Sequence, residues 1–182
     1  GVNATIEAAH QVLAISQLAH DQLGTTVTPT VVSSGTTVNT VPASATVAVD
    51  VRVETAGEME RVAKALSALS PRVDGAVVTT TPTSIRMPLE RRTSRALFER
   101  ARRLAGTVGI DSLDGVDVGG GSDGNLTAAL GIPTLDGLGA VGGNAHAEGE
   151  WASLSAMTQR VALVAAMVRE LLEEMRWARS LC

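Results

Sequence analysis

Residues 119–146, GGGSDGNLTAALGIPTLDGLGAVGGNAH, concentrate the groups able to do chemistry in this 182-residue chain. Gly119, Gly121 and Gly124 satisfy the GxGxxG spacing of a dinucleotide site, after a short strand and before a helix. Against that reading, Gly131 and Pro133 stop the helix early, whereas a dinucleotide unit needs a crossover of about 30 residues and an acid about 20 residues further on. Asp136 comes too soon. A second reading lets the bare backbone pass close to a ligand, with Ser122 or Asp123 capping the short helix so that free N–H groups face an anion such as a substrate carboxylate. A third is a plain tight turn between strand and helix. His146 closes the run after the irregular segment GLGAVGGNA, which would deliver its imidazole to the C-terminal edge of the strands, where open α/β sheets bind ligands. One histidine cannot hold zinc, which takes three or four protein ligands, and HxxxH, CxxC and HExxH are all absent.

The remaining candidates read more simply. His10 and His20 are expected on the surface of the first helix. Glu173 and Glu174 are adjacent on the last helix and point about 100° apart, as solvated charges do. Arg91, Arg92, Arg95, Arg100, Arg102 and Arg103 form a helix face balanced by Glu90 and Glu99. Asp50 and Arg52 share one face of a strand and can pair there, with little energetic consequence if exposed.

The elements that must position these groups follow from periodicity. Val2, Ile6, Ala9 and Leu13 step by four, three and four, an apolar stripe that predicts an amphipathic helix from Asn3 to Gln22, closed by Gly24. TTVTPTVV is a β-branched strand with Pro29 at an edge or bulge. In TVAVDVRV, valines 47, 49, 51 and 53 alternate with Thr46, Ala48, Asp50 and Arg52, so one face is buried and the other wet. Thr55 and Glu58 form a capping box ahead of Met59, Val62, Leu66 and Leu69, and AVVTTT (76–81) follows as a further strand. Helix, strand, strand, helix, strand describes an antiparallel sheet covered by helices, without an opening strand. TPTSIRMPLERRTS reads as a boundary. Beyond it come a helix (Thr93 to Ala105), a strand (Val116 to Val118), a short helix, a strand (Thr134 to Leu135) and a long helix (about Ser153 to Ala178), which implies parallel strands with crossovers.

Composition narrows the partners. With 45 % hydrophobic residues the chain can bury a proper core. A net charge of −4 leaves no broad basic face for phosphates or anionic lipid, and 2 % aromatic residues leave no platform for stacked bases. Neither nucleic acid nor a membrane is an expected partner. No apolar run reaches the roughly 20 residues of a membrane span and no start reads as a signal peptide. The single cysteine, Cys182, cannot form an internal disulfide, which fits a cytoplasmic, reducing location.

Three segments, GVNATIEAAHQVL, GTTVNTVPASATVAVDVRV and GGGSDGNLTAALGIPTLDGLGAVGGNAHAEGEW, resemble in order and spacing the landmarks of a zinc-dependent exopeptidase family. That family includes glutamate carboxypeptidase, acetylornithine deacetylase, succinyl-diaminopimelate desuccinylase and aminoacylase, and the glutamate carboxypeptidase branch looks most similar. The resemblance implies an α/β protein in two parts: residues 1–88, an α+β lid and dimerisation domain with an antiparallel sheet and two helices, lacking its first strand, and residues 89–182, the C-terminal part of an α/β catalytic domain.

It also implies a homodimer through the lid and a reaction that cleaves the amide bond of an N-acyl amino acid or peptide next to a free carboxylate, using two zinc (or cobalt) ions. On this resemblance His146 corresponds to the last metal ligand, Gly121 to the glycine turn beside the substrate, and Asn39 and Arg86 to lid residues that hold the substrate carboxylate. Arginine suits a carboxylate through two parallel hydrogen bonds, and asparagine can donate to a developing oxyanion. The family's HxD segment, bridging acid, paired glutamates and general base match nothing here, and His10 does not stand where relatives carry a lid histidine. The chain alone is therefore expected to be inactive and to bind no metal tightly. The alternative is a stand-alone dimerisation or small-carboxylate-binding module without catalysis.

Overall fold

The structure, a computed structural model, describes residues 1–180, so Cys182 lies outside the described residues. It comprises two compact units, one of residues 1–90 with 119–121, the other of residues 91–118 with 122–180. Helices combine with two small antiparallel sheets in a mixed α/β chain.

In the first unit Asn3 caps helix α1 (Ala4–Ser16), its Oδ1 accepting from the amides of Thr5 and Ile6 at 3.0 and 3.4 Å. α1 stops short of Gln22. His20 leaves the helix surface altogether and exchanges backbone bonds with Thr25 across a short 3-10 turn, which Gly24 closes at φ 62°. Strands β1 (Thr26–Ser34) and β2 (Ala45–Arg52) then pair antiparallel, Thr26 opposite Arg52 and Ser34 opposite Ala45. The register shifts between Pro29 and Val31, leaving Thr30 out of the register in a bulge beside the residue that cannot donate. Along β2 the valines are half-buried and Thr46, Ala48, Asp50 and Arg52 exposed, as the alternation requires; Arg52 Nε reaches Asp50 Oδ2 at 2.8 Å. Helix α2 (Ala56–Ser67) begins at Thr55, whose Oγ1 accepts from the Glu58 amide at 3.2 Å. Ile15, Val27 and Val62 form the buried core, with Leu18, Val49, Val51, Leu66 and Leu69 packed around them.

Two further expectations for this unit fail. The stripe Val2, Ile6, Leu13 does not enter the core: these residues are 41, 51 and 67 % exposed, while α1 buries Glu7, Ala8, Gln11 and Ile15. The cause is polar. The Glu7 carboxylate accepts from Gln11 Nε2 at 2.6 Å and from the amides of Val73 and Arg72 at 2.7 and 2.9 Å, and Gln11 also donates to the Ser70 carbonyl at 2.9 Å. Those bonds set the rotation of the helix, because a buried carboxylate stripped of them would cost far more than exposing a leucine. Residues 76–81, the second failure, form no strand: a strand persists only through a ladder, and this segment pairs with none, Thr80 Oγ1 bonding instead to the Leu66 carbonyl at 3.0 Å.

The second unit is built on helix α3 (Arg91–Ala105) lying against the long helix α5 (Leu154–Ser180). Ala101, Ala105, Leu113, Leu163 and Met167 are its buried centre. Arg100 and Arg103 on α3 pair with Glu170 on α5 at 2.9 and 2.7 Å, and Arg100 reaches Glu174 at 3.0 Å. Glu174 is thus both exposed, as expected of a solvated charge, and engaged in an ion pair. Helix α4 (Gly124–Ala129) follows the glycine run, and two-residue strands β3 (Gly142–Gly143) and β4 (Trp151–Ala152) pair antiparallel. Residues 116–118 and 134–135 are not strands, and among the described residues there is no parallel ladder. Val116 and Val118 stand 76 and 75 % exposed, with no neighbouring strand to cover them.

Candidate functional site

His146 sits at the tip of the β3–β4 hairpin. The two glycines of β3 are required by close approach: a Cβ at Gly142 would lie 2.1 Å from the Trp151 carbonyl oxygen, and one at Gly143 would lie 2.8 Å from Trp151 Nε1. A further bond from the Ser153 amide to the Val141 carbonyl, 2.8 Å, extends the pairing. Between the strands the chain turns tightly, the amide of Ala147 donating to the Asn144 carbonyl at 2.9 Å and that of Glu150 to the Ala147 carbonyl at 3.2 Å.

Two residues in this tip that are not glycine adopt left-handed backbone, Asn144 at φ 57° and His146 at φ 63°. Asparagine tolerates that region; for a histidine it costs on the order of 1 kcal/mol. The imidazole itself is exposed, so burial gives no return for that cost. His146→Gly is therefore expected to stabilise the chain by about 1 kcal/mol in urea unfolding, since glycine meets no steric penalty at this φ. A loss of stability would mean that the histidine side chain supports the hairpin.

The other three candidates lie in the first unit. Asn39 is in the turn between β1 and β2, Arg86 in the irregular segment before α3, and Gly121 just before α4; all are exposed. Arg86 makes no ion pair or side-chain hydrogen bond with any described residue, which leaves its guanidinium available to an anion. The N-terminus of α4 is less available than the sequence suggests. Ser122 Oγ accepts from the Gly124 amide at 3.1 Å and Asn125 Oδ1 from the Ser122 amide at 2.8 Å, and Asp123, the residue at the cap position, makes no side-chain cap. Two of the amides an anion would use are already satisfied.

The donors present do not complete a metal site: among the described residues no three His, Cys, Asp or Glu side chains converge. No described helix is long and apolar enough to cross a membrane.

Two features escaped the sequence reading. Thr25, fully buried, donates through Oγ1 to Glu58 Oε2 at 2.5 Å, and Arg61 grips both oxygens of the same carboxylate at 2.8 Å. Arg61 first, then Thr25, hold the Glu58 carboxyl down to about 2. Along α5, Met157, Val161, Val164, Val168 and Leu172 border an open apolar groove of about 720 Å3. Their spacing of four, three, four and four was a visible signal of a second apolar face, opposite the one carrying Leu163.

Compared with known proteins, residues 1–75 match the family model of the M20 group described as a peptidase dimerisation domain. No curated protein matches the chain. The matched span covers α1, β1, β2 and α2, so this part of the chain is similar to the domain through which peptidases of that group pair.

Proposed function

We propose that residues 1–88 form the lid and dimerisation domain, and residues 89–182 the end of the catalytic domain, of a di-zinc hydrolase that cleaves an amide bond next to a free amino-acid carboxylate, as glutamate carboxypeptidase does. The observation that carries the reading is the match of residues 1–75 to a peptidase dimerisation domain; the exposure of His146 at a hairpin tip leaves that residue open to a ligand role.

In this reading Arg86 binds the substrate carboxylate through its paired N–H groups and Asn39 donates its amide N–H to the carboxylate or to the oxygen of the scissile carbonyl. Both side chains are exposed and so are free to engage a ligand. Gly121 keeps the chain thin where substrate passes. His146 supplies one donor, and the rest of the metal set, with the general base, belongs to a segment that these residues do not include.

The test compares this chain with a longer polypeptide of the same gene that carries an HxD segment upstream. Zinc titrated into the 182-residue chain is expected to give no tight one-to-one binding by calorimetry. The longer polypeptide is expected to bind zinc and hydrolyse N-acyl amino acids, with His146→Ala removing hydrolysis. Stoichiometric tight zinc on the short chain, or full hydrolysis by the alanine variant, would overturn the assignment.

A further inference from the structure

Four aspartate–glycine pairs occur in the sequence: Asp74–Gly75, Asp114–Gly115, Asp123–Gly124 and Asp136–Gly137. In such a pair the glycine amide nitrogen can attack the carboxyl group of the side chain before it, because glycine carries no Cβ to obstruct the approach. The N–Cγ bond forms, the Cγ–OH bond breaks, and the amide proton leaves with that hydroxyl as water. A five-membered succinimide ring results. Water added back at Cγ restores aspartate. Added instead at the main-chain carbonyl carbon, it breaks the bond from that carbon to the glycine nitrogen, so the chain now runs through Cγ and the α-carboxylate is free. That product is an isoaspartyl linkage.

The fold treats the four pairs differently, because ring closure must turn the peptide that follows the aspartate. Asp74 and Gly75 lie in a turn closed by the Ala76 amide on the Val73 carbonyl at 3.0 Å, and Gly75 backs onto the Val2 side chain. The Asp114 carboxylate is drawn away from its glycine, Oδ2 accepting from Ser112 Oγ at 3.0 Å, while a Cβ on Gly115 would lie 3.4 Å from the Phe98 ring. Asp123 already has helical backbone at φ −66° and ψ −20°. Its carbonyl accepts from the Leu126 and Thr127 amides at 3.0 and 3.4 Å, and the Gly124 amide donates to Ser122 Oγ at 3.1 Å. Each of these three is held away from reaction.

Asp136–Gly137 is held toward it. The Gly137 amide nitrogen lies 2.7 Å from Asp136 Oδ1, an atom bonded to the carbon under attack, so the reacting groups are already in contact. Both residues are exposed and stand outside regular structure. Gly137 is at φ 78°, and a Cβ there would meet nothing within 4 Å, so the ring has room to close. The neighbours decide what the product does. Leu135 and Leu138 pack against the buried centre of the second unit, and an isoaspartyl linkage inserts one further backbone carbon between them, about 1.5 Å of chain. A close-packed core cannot take up that length without displacing one of the two leucines.

We infer that Asp136 is a site of spontaneous succinimide formation and isoaspartate accumulation, through which the second unit ages. The whole chain is incubated at neutral pH for several weeks, folded or in urea, then cut with an endoproteinase that cleaves before aspartate but not before isoaspartate, and the fragments are weighed by mass spectrometry. In the folded chain isoaspartate is expected to rise at Asp136 at about ten times the rate of any other pair, and no more slowly than at Asp136 in urea, where the four rates converge. Asp136→Glu, whose ring would need six members, is expected to remove the signal and leave the circular dichroism spectrum unchanged. The isomerised chain, separated by chromatography, is expected to show an unfolding constant of the second unit raised about fivefold or more, read from Trp151 and Trp177 fluorescence.

Equal rates at the four pairs in the folded chain, or a rate at Asp136 that falls on folding as the other three do, overturns the site. An isomerised chain that unfolds as the fresh one does overturns the ageing of the second unit and leaves the site standing.

Discussion

Leu163→Ala is expected to lower the stability of the second unit by about 3 kcal/mol, within the span of roughly 2–5 measured for buried leucines. Leu163 has no exposed surface and packs against Ala101 and Ala105, themselves 0 and 2 % exposed. Two alanines on α3 let α5 approach closely, so the isobutyl group fills space that nothing else can reach. The truncated site cannot collapse easily either. Arg100 and Arg103 tie α3 to Glu170 and Glu174 further along α5, and Gln159 Nε2 ties its start to the Gly109 carbonyl at 2.6 Å. Pinned on both sides of Leu163, the helices would leave a cavity rather than close it, which puts the cost above the transfer free energy of the lost methyl groups. Val161→Ala, two residues away on the exposed face at 69 %, is expected to change stability by no more than about 0.5 kcal/mol. Urea unfolding followed by the fluorescence of Trp151 and Trp177, both in the second unit, separates the two; a loss below about 1 kcal/mol for Leu163→Ala would show that the α3–α5 contact is not the core of this unit.

Local signals were the legible part of the fold. Asn3 and Thr55 cap the helices they precede, the valines of β2 alternate as written, and Pro29 falls at a bulge. In each case the cause lies within a few residues of its effect. The rotation of α1 was not legible, because apolar residues occupy both of its sides and periodicity then has two solutions; the choice is made by Glu7 and Gln11 bonding to residues 70–73, some sixty positions away. The strands expected at 76–81, 116–118 and 134–135 failed for a related reason. β-propensity describes one segment, whereas a strand is a property of two, and no described segment pairs with these.

The candidate site divides in the same way. The glycines before His146 were visible as permissive backbone, but the reason for two of them, the carbonyl and indole of Trp151 pressed against Gly142 and Gly143, exists only once β3 meets β4. Asn39 and Arg86 are candidates through family resemblance alone, since neither spacing nor composition singles out an exposed asparagine or arginine, whereas Gly121 also stands in the GxGxxG spacing.

Glu58→Gln is expected to cause the largest loss of stability of any polar substitution in the first unit, and the loss is expected to depend on pH in a defined way. Read from sequence, Glu58 was the return half of a capping box; in the fold its carboxylate turns instead toward Thr25 Oγ1 and Arg61 and is 8 % exposed. Arg61 also donates to the Leu18 carbonyl at 2.9 Å, so the carboxylate anchors α2 to the end of α1 and to the start of β1. With all its partners donors, the charged form is the one the fold selects, which is why its pKa falls from 4.5 to about 2. The unfolded chain binds a proton near 4.5 and the folded chain only near 2, so the stabilisation is complete above pH 4.5 and is lost as the pH falls from there toward 2.

Glutamine keeps the shape but replaces one accepting oxygen with a donor that faces Arg61 and Thr25, leaving a buried mismatch at every pH. Thermal unfolding followed by far-ultraviolet circular dichroism should therefore show the variant well below the parent at neutral pH and the two converging as the pH falls from 4.5 toward 2. The first unit contains no tryptophan or tyrosine, so this readout, unlike that for Leu163, cannot rest on fluorescence. A gap between parent and variant that stays constant down to pH 2 would show that Glu58 stabilises the unit by shape and not by charge.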